Sequence, residues 1–120
     1  MIELIPGFPE NVVAVTASGV LTGEDYEKVL VPAIEEKVKK YGKIRLLYQL
    51  NERFEGFTDK AMFEDATIGI RHITDFERIA VISDVEWIIN AVKIFEFIIP
   101  GSVRVYRNKE FPEAKAWISE

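Results

Sequence analysis

With 120 residues, 48% of them hydrophobic and 29% charged, the chain has the length and balance of one globular domain that can bury a core of its own. Twenty acidic against fifteen basic side chains leave a net charge of −5, which argues against nucleic acid as a partner, because a phosphate backbone rewards clustered positive charge. The lack of cysteine excludes thiol catalysis, thiolate metal sites and disulfides, and fits a reducing cytoplasm.

At the N-terminus, MIELIPGFPEN has no basic stretch ahead of an apolar one, and Glu3, Pro6 and Pro9 interrupt it, so no secretory leader is expected. MIELI and VVAVTAS read as a pair of strands around a loop with two prolines. Thr22 and Asp25 form a capping pair for a first helix, along which Tyr26, Val29, Leu30, Ala33, Ile34, Val38 and Tyr41 recur at helical spacing until Gly42 stops the run. Pro32 lies inside this pattern and is expected to kink it.

IRLLYQL is short and almost continuously apolar, as a strand covered on both faces would be, and NERFEGF reads as the loop after it. Thr58 then caps a second helix with an expected buried arc of Met62, Phe63, Ala66, Gly69, Ile70 and Ile73. RIAVIS is the next buried strand. Ser83 and Glu86 have capping-box spacing at the start of a third helix, Trp87 to Phe97 within the stretch VEWIINAVKIFEFIIPG, with Gly101 just past its end. VRVY is the last strand, and Phe111, Ala114, Trp117 and Ile118 mark a short terminal helix. A strand pair followed by alternating strands and helices predicts an α/β fold in a single domain, a mixed and largely parallel sheet of about five strands with about four helices.

The third helix is the most apolar part of the chain. No stretch reaches the roughly 20 apolar residues of a spanning helix, and Glu86, Lys93 and Glu96 punctuate this one, so no membrane span is expected. Trp87, Ile88, Ala91, Val92, Ile94, Phe95, Ile98 and Ile99 share one wide arc, as a core helix requires. On that reading Phe95 faces inward, and its truncation to alanine would cost about 3–5 kcal/mol. Ile89 and Phe97 fall among Asn90, Lys93 and Glu96 on the opposite stripe, which makes them candidates for an exposed apolar contact with a partner or ligand.

The segments GVLTGEDYEKVLVPAIE (19–35), RLLYQLNERFEGFTDKAMFEDA (45–66), DFERIAVISDVEWI (75–88) and FIIPGSVRVY (97–106) resemble the SpoIIAA-like family of the STAS superfamily, whose fold is also compared with the CRAL-TRIO lipid-binding domain. The resemblance covers nearly the whole chain and implies a STAS-like fold. Anti-sigma factor antagonists of that superfamily carry a phosphorylatable serine in an Asp-Ser-Ser-Gly-like turn at the helix after the third strand. Here the corresponding region reads GFTDKAMF, with Thr58 as its only hydroxyl. Helix capping is the expected role of Thr58, and the nearby Glu55, Asp59 and Glu64 oppose phosphate there.

Among catalytic constellations, Glu52, Glu55, Asp59, Glu64 and Asp65 cluster against Arg53 and Lys60, but with no EF-hand or other compact metal-loop spacing, so solvated capping of the second helix is expected. His72 is the only histidine and ends that helix, and no serine lies in a nucleophile-elbow pattern. Gly19 and Gly23 do not form a phosphate loop. Phe54 and Phe57 place two aromatic rings at the carboxyl end of a central strand, the edge where open α/β sheets tend to bind ligands. The expected function is therefore a non-enzymatic regulatory or binding module without metal or cofactor, acting through a protein partner, a second copy of the chain, or a small apolar or lipid ligand. Its candidate contacts are Phe54, Phe57, Thr58, Ile89 and Phe97. The alternative is a small hydrolase using the acidic cluster of 52–65 and His72.

Overall fold

The computed structural model describes all 120 residues. Its single sheet has the order β1 (Ile2–Leu4), β2 (Val12–Leu21), β3 (Ile44–Phe57), β4 (Phe76–Ile82) and β5 (Ser102–Tyr106). β1 runs antiparallel to β2, and all other neighbours are parallel. Because the strand order never reverses and parallel crossovers are right-handed, every crossover helix lands on the same face. That face carries α1 (Gly23–Asp25), a π-helical turn (Tyr26–Leu30), α2 (Val31–Tyr41), α3 (Asp59–Arg71) and α4 (Glu86–Phe95) over the larger core. The opposite face is covered by α5 (Phe111–Ser119), whose Ala114, Trp117 and Ile118 pack on Val12, Ala14, Leu47, Ala80 and Ile82.

The predicted caps of the first two helices form as expected. Thr22 and Asp25 exchange hydrogen bonds in a capping box, and Thr58 Oγ1 accepts from the Ala61 N–H at 3.1 Å. Gly42 closes α2 in a γ-turn at φ +78° and ψ −75°, with the Lys43 N–H bonded to the Tyr41 carbonyl, a positive-φ conformation open chiefly to glycine.

Pro32 is accommodated differently from the expected kink. A π turn precedes it, with the Val31 N–H bonded to the Tyr26 carbonyl, so that Pro32 falls in the first turn of α2, where no backbone donor is needed.

Three further expectations are corrected. NERFEGF is not a loop: β3 continues to Phe57 beside β2, with Gly19 opposite Phe54 and Leu21 opposite Phe57. Bulges in this pairing and the early end of β4, which reaches only Gln49 of β3, leave this extension half solvated, hence its polar, loop-like sequence. Ser83 does not cap α4: the N-cap is Val85, and the buried Ser83 hydroxyl accepts from its N–H in a local turn. Gly101 is not a helix terminator either, since α4 stops at Phe95 and Gly101 instead lies against the Phe76 carbonyl at the entry to β5.

Candidate functional site

α3 and α4 flank the same part of the sheet without packing closely on each other. Between them runs a groove of about 430 Å³ lined by 24 residues, 22 of them hydrophobic. Its floor is Leu46, Tyr48, Leu50, Ile79, Val81 and Val103 from β3, β4 and β5. One wall is Met62, Ala66, Gly69 and Ile70 of α3, with Ile73 just beyond it, and the other is Trp87, Ala91, Val92 and Phe95 of α4, with Ile98 following. The volume lies in the range of small-molecule sites.

These walls are the arcs that helical periodicity assigns to the core. On α3 only Ala61 and Ile68 are fully buried, while Met62, Phe63 and Ile70 are exposed. On α4 the fully buried residues are Ile88 and Ile89, and Phe95 is 52% exposed. Phe95 is therefore a groove residue rather than a core residue.

Ile89, expected on the exposed stripe, is 6% exposed and does not line the groove. α4 packs on the edge strand β5, and Glu86, one turn before Ile89, reaches the Arg107 guanidinium just past that strand at 2.7 Å, so this side of α4 lies towards the edge of the sheet. Phe97 does project into solvent, at 92% exposure.

Phe54 and Phe57 meet edge to face at 5.1 Å between ring centroids, and Phe57 continues to Trp87 at 6.1 Å. Phe57 and Trp87 both line the groove, and Phe54 packs against the larger core. Thr58 is occupied as the cap of α3.

One charged group faces this apolar space. Asp65 stands on the stripe of α3 that carries the buried Ala61 and Ile68, and it lines the groove. Its Oδ1 accepts a 2.8 Å hydrogen bond from the Tyr26 hydroxyl, which is itself 2.8 Å from the Tyr48 hydroxyl. Asp65 is exposed by surface area, opening onto the groove, and the apolar side chains crowded around its carboxyl group reduce its hydration. Loss of hydration raises its pKa, and the Tyr26 hydrogen bond opposes that shift only in part. Burial, the Asp65 charge and the tyrosine pair itself push the Tyr26 hydroxyl far above its ordinary value; burial does the same for Tyr48, with Asp65 adding to the effect. Both tyrosines are therefore neutral donors at physiological pH.

Spacing within the acidic cluster hides this role, because Asp65 resembles its solvated neighbours. The signal for it is positional: four residues after Ala61 and three before Ile68 it shares the inward stripe of the helix.

The hydrolase constellation is not assembled. His72 Nδ1 pairs with Asp75 Oδ2 at 2.9 Å, its Nε2 is buried without a partner, and His72 does not line the groove. No group of three or more His, Asp or Glu side chains has metal-binding geometry. Past the carboxyl ends of β4 and β5, Asn108 Nδ2 bridges the Leu50 carbonyl and Asp84 Oδ2. A sheet wound in one direction has no reversal crevice there, so the apolar space lies on the helix-covered face instead.

A family model described as SpoIIAA-like matches residues 12–119. Among solved structures, the chain is similar to an uncharacterized protein from the DUF3478 family with a SpoIIAA-like fold, from Shewanella loihica PV-4. The two share 27% sequence identity over 98% of this chain and 93% of that one, with a TM-score of 0.75. The search of curated proteins finds no match. No helix is long and apolar enough to cross a membrane.

Proposed function

Because this chain belongs to the SpoIIAA-like family, a STAS-like fold with no activity implied by the fold itself, we propose that it is a binding module whose α3–α4 groove takes a small apolar or lipid-like ligand. The observation that carries this reading is an open groove of about 430 Å³ with 22 hydrophobic residues among its 24. Apolar side chains left facing water on two neighbouring helices gain when a ligand covers them, at about 25 cal/mol per Å² of apolar surface removed from water. Phe57 and Trp87 close one end with edge-to-face rings, and aromatic walls of this kind grip an aliphatic chain without demanding one geometry. Phe54 supports Phe57 from behind.

Trp87 lines the groove, whereas Trp117, the second of two tryptophans, packs on the opposite face. A Trp117→Phe variant therefore reports the groove through the emission of Trp87 alone. N-phenyl-1-naphthylamine, a neutral apolar dye, should quench this emission saturably with one dye per chain. Ala91→Trp in the unmodified background, followed by dye fluorescence, should weaken binding at least tenfold while the far-UV circular dichroism stays unchanged. Saturable binding that survives Ala91→Trp would place the dye elsewhere and remove the support for this reading.

A protein partner is the second reading, favoured by Phe97, which is 92% exposed next to the groove residue Ile98. Phe97→Ser separates the two. Dye binding unchanged by this substitution, with loss of a concentration-dependent shift in size-exclusion elution, would assign Phe97 to assembly and the groove to the ligand.

A further inference from the structure

Asp65 on the α3 wall, Tyr48 on the floor and Tyr26 behind them have, with Asp65 ionised, a fixed count of protons. Tyr26 is fully buried, and its single hydroxyl proton goes to Asp65 Oδ1. The 2.8 Å contact between the two tyrosines must then be made by the Tyr48 proton, donated to the Tyr26 oxygen. Both hydroxyl protons are consumed in a chain that runs from Tyr48 through Tyr26 to Asp65, and each link polarises the next. Asp65 Oδ2 has no hydrogen-bond partner within the protein. The polar capacity left facing the groove is thus that of an acceptor, and it carries negative charge.

This count discriminates among ligands. A molecule without a polar group would displace water from Oδ2 and leave a carboxylate unpaired among apolar side chains, which is costly. A carboxylate, phosphate or sulfonate head would bring a second acceptor and a like charge. A hydroxyl head satisfies Oδ2 with one hydrogen bond, and an ammonium head adds the opposite charge in a site where water no longer screens it.

Resting on the groove-binding reading above, we infer that the natural ligand is an amphiphile with a primary amine head on an apolar tail, its ammonium group received by Asp65 Oδ2 and its tail lying between α3 and α4. The π turn takes part in this arrangement. It is the segment that holds Tyr26 fully buried as the middle link of the proton chain, and so fixes which Asp65 oxygen is spent inside the protein. Loss of hydration already disfavours the ionised Asp65 carboxyl group, and an ammonium head relieves that strain.

The test uses the intact chain and three probes of equal tail length, n-decylamine, n-decanol and decanoate, each titrated at pH 7 below its micellar concentration by isothermal calorimetry. The expected order is amine first, alcohol second, and decanoate at least tenfold weaker than the amine. In Asp65→Asn, which keeps an acceptor for Tyr26 but loses the charge, the amine should fall to the level of the alcohol. Ala91→Trp keeps the net charge of the protein and should abolish all three, so amine binding that persists there would be adsorption to an acidic surface and would count against the inference. If the three probes bind wild type within about threefold of one another, or if Asp65→Asn leaves their ranking unchanged, the groove still binds but the amine head is wrong. If none binds and the neutral dye also fails, the groove reading falls together with this one.

Discussion

Trp117→Ala is expected to destabilise the protein by about 3–5 kcal/mol, the usual range for truncating a buried large aromatic, a loss comparable to much of the stability of a small domain. Winding in one direction sends three crossovers to one face of the sheet and leaves the other to α5 alone. Trp117 is 6% exposed there, and no second helix can close over the hole it would leave. Two arginines compound the effect. Arg78 lies 5.2 Å and Arg104 4.7 Å from the indole, in cation–π range. Arg78 Nη1 also donates to the Trp117 carbonyl at 2.7 Å, and Arg45 Nη1 to the Ile118 carbonyl at 3.0 Å, which satisfies the last turn of α5 with positive charge where the helix dipole favours it. Urea unfolding at fixed pH measures the difference. Phe95→Ala is the matched comparison: at 52% exposure its ring has only part of its burial to lose, about 1 kcal/mol. Equal losses for the two aromatics, or a larger one for Phe95, would mean that the groove is closed in solution and Phe95 is a core residue after all.

This pair marks where the sequence is legible and where it is not. Strand and helix order follows from period and from caps that are local chemistry: Thr22 with Asp25, Thr58 with the Ala61 N–H, Gly42 at the end of α2. Such signals act over a few residues and survive any tertiary arrangement. Apolar arcs on α3 and α4 are equally plain, but periodicity states which face of a helix is apolar and not what covers it. Met62 and Ile70 on one helix and Trp87 and Phe95 on the other look like core residues because they face each other across a gap. Ile89 departs from its expected exposure for a related reason. Its neighbours in the helical wheel are polar, yet that side of α4 lies towards the sheet edge, where α4 packs on β5 and Glu86 pairs with Arg107, and a contact twenty-one residues away leaves no trace in local spacing. Asp65 is the opposite case, legible as part of an acidic cluster but set apart by its place on the inward stripe and by Tyr26 and Tyr48, two residues that read only as core.

Gly101→Ala should also weaken the fold, by about 1–3 kcal/mol, as overpacking against rigid neighbours does. A Cβ at this position would stand 2.3 Å from the Phe76 carbonyl oxygen and 3.0 Å from that of Glu77. Both are backbone atoms at the start of β4, so no side-chain rotation gives relief. The strands must move apart where Arg78 pairs with Ser102, at the first rung of the β4–β5 ladder. The second rung sets Val103 opposite Ile79, and both belong to the floor of the groove, so the variant should lose dye affinity along with stability. Gly69→Ala supplies the contrast. Gly69 sits within α3, where an added Cβ would meet nothing within 4 Å, and alanine there should stabilise the helix by about 0.5–1 kcal/mol. One methyl group added to each glycine thus changes stability in opposite directions, and urea midpoints read both signs. If Gly101→Ala were neutral, β5 would enter the sheet further from β4 than the present register allows, and Val103 would no longer be fixed beneath the ligand groove.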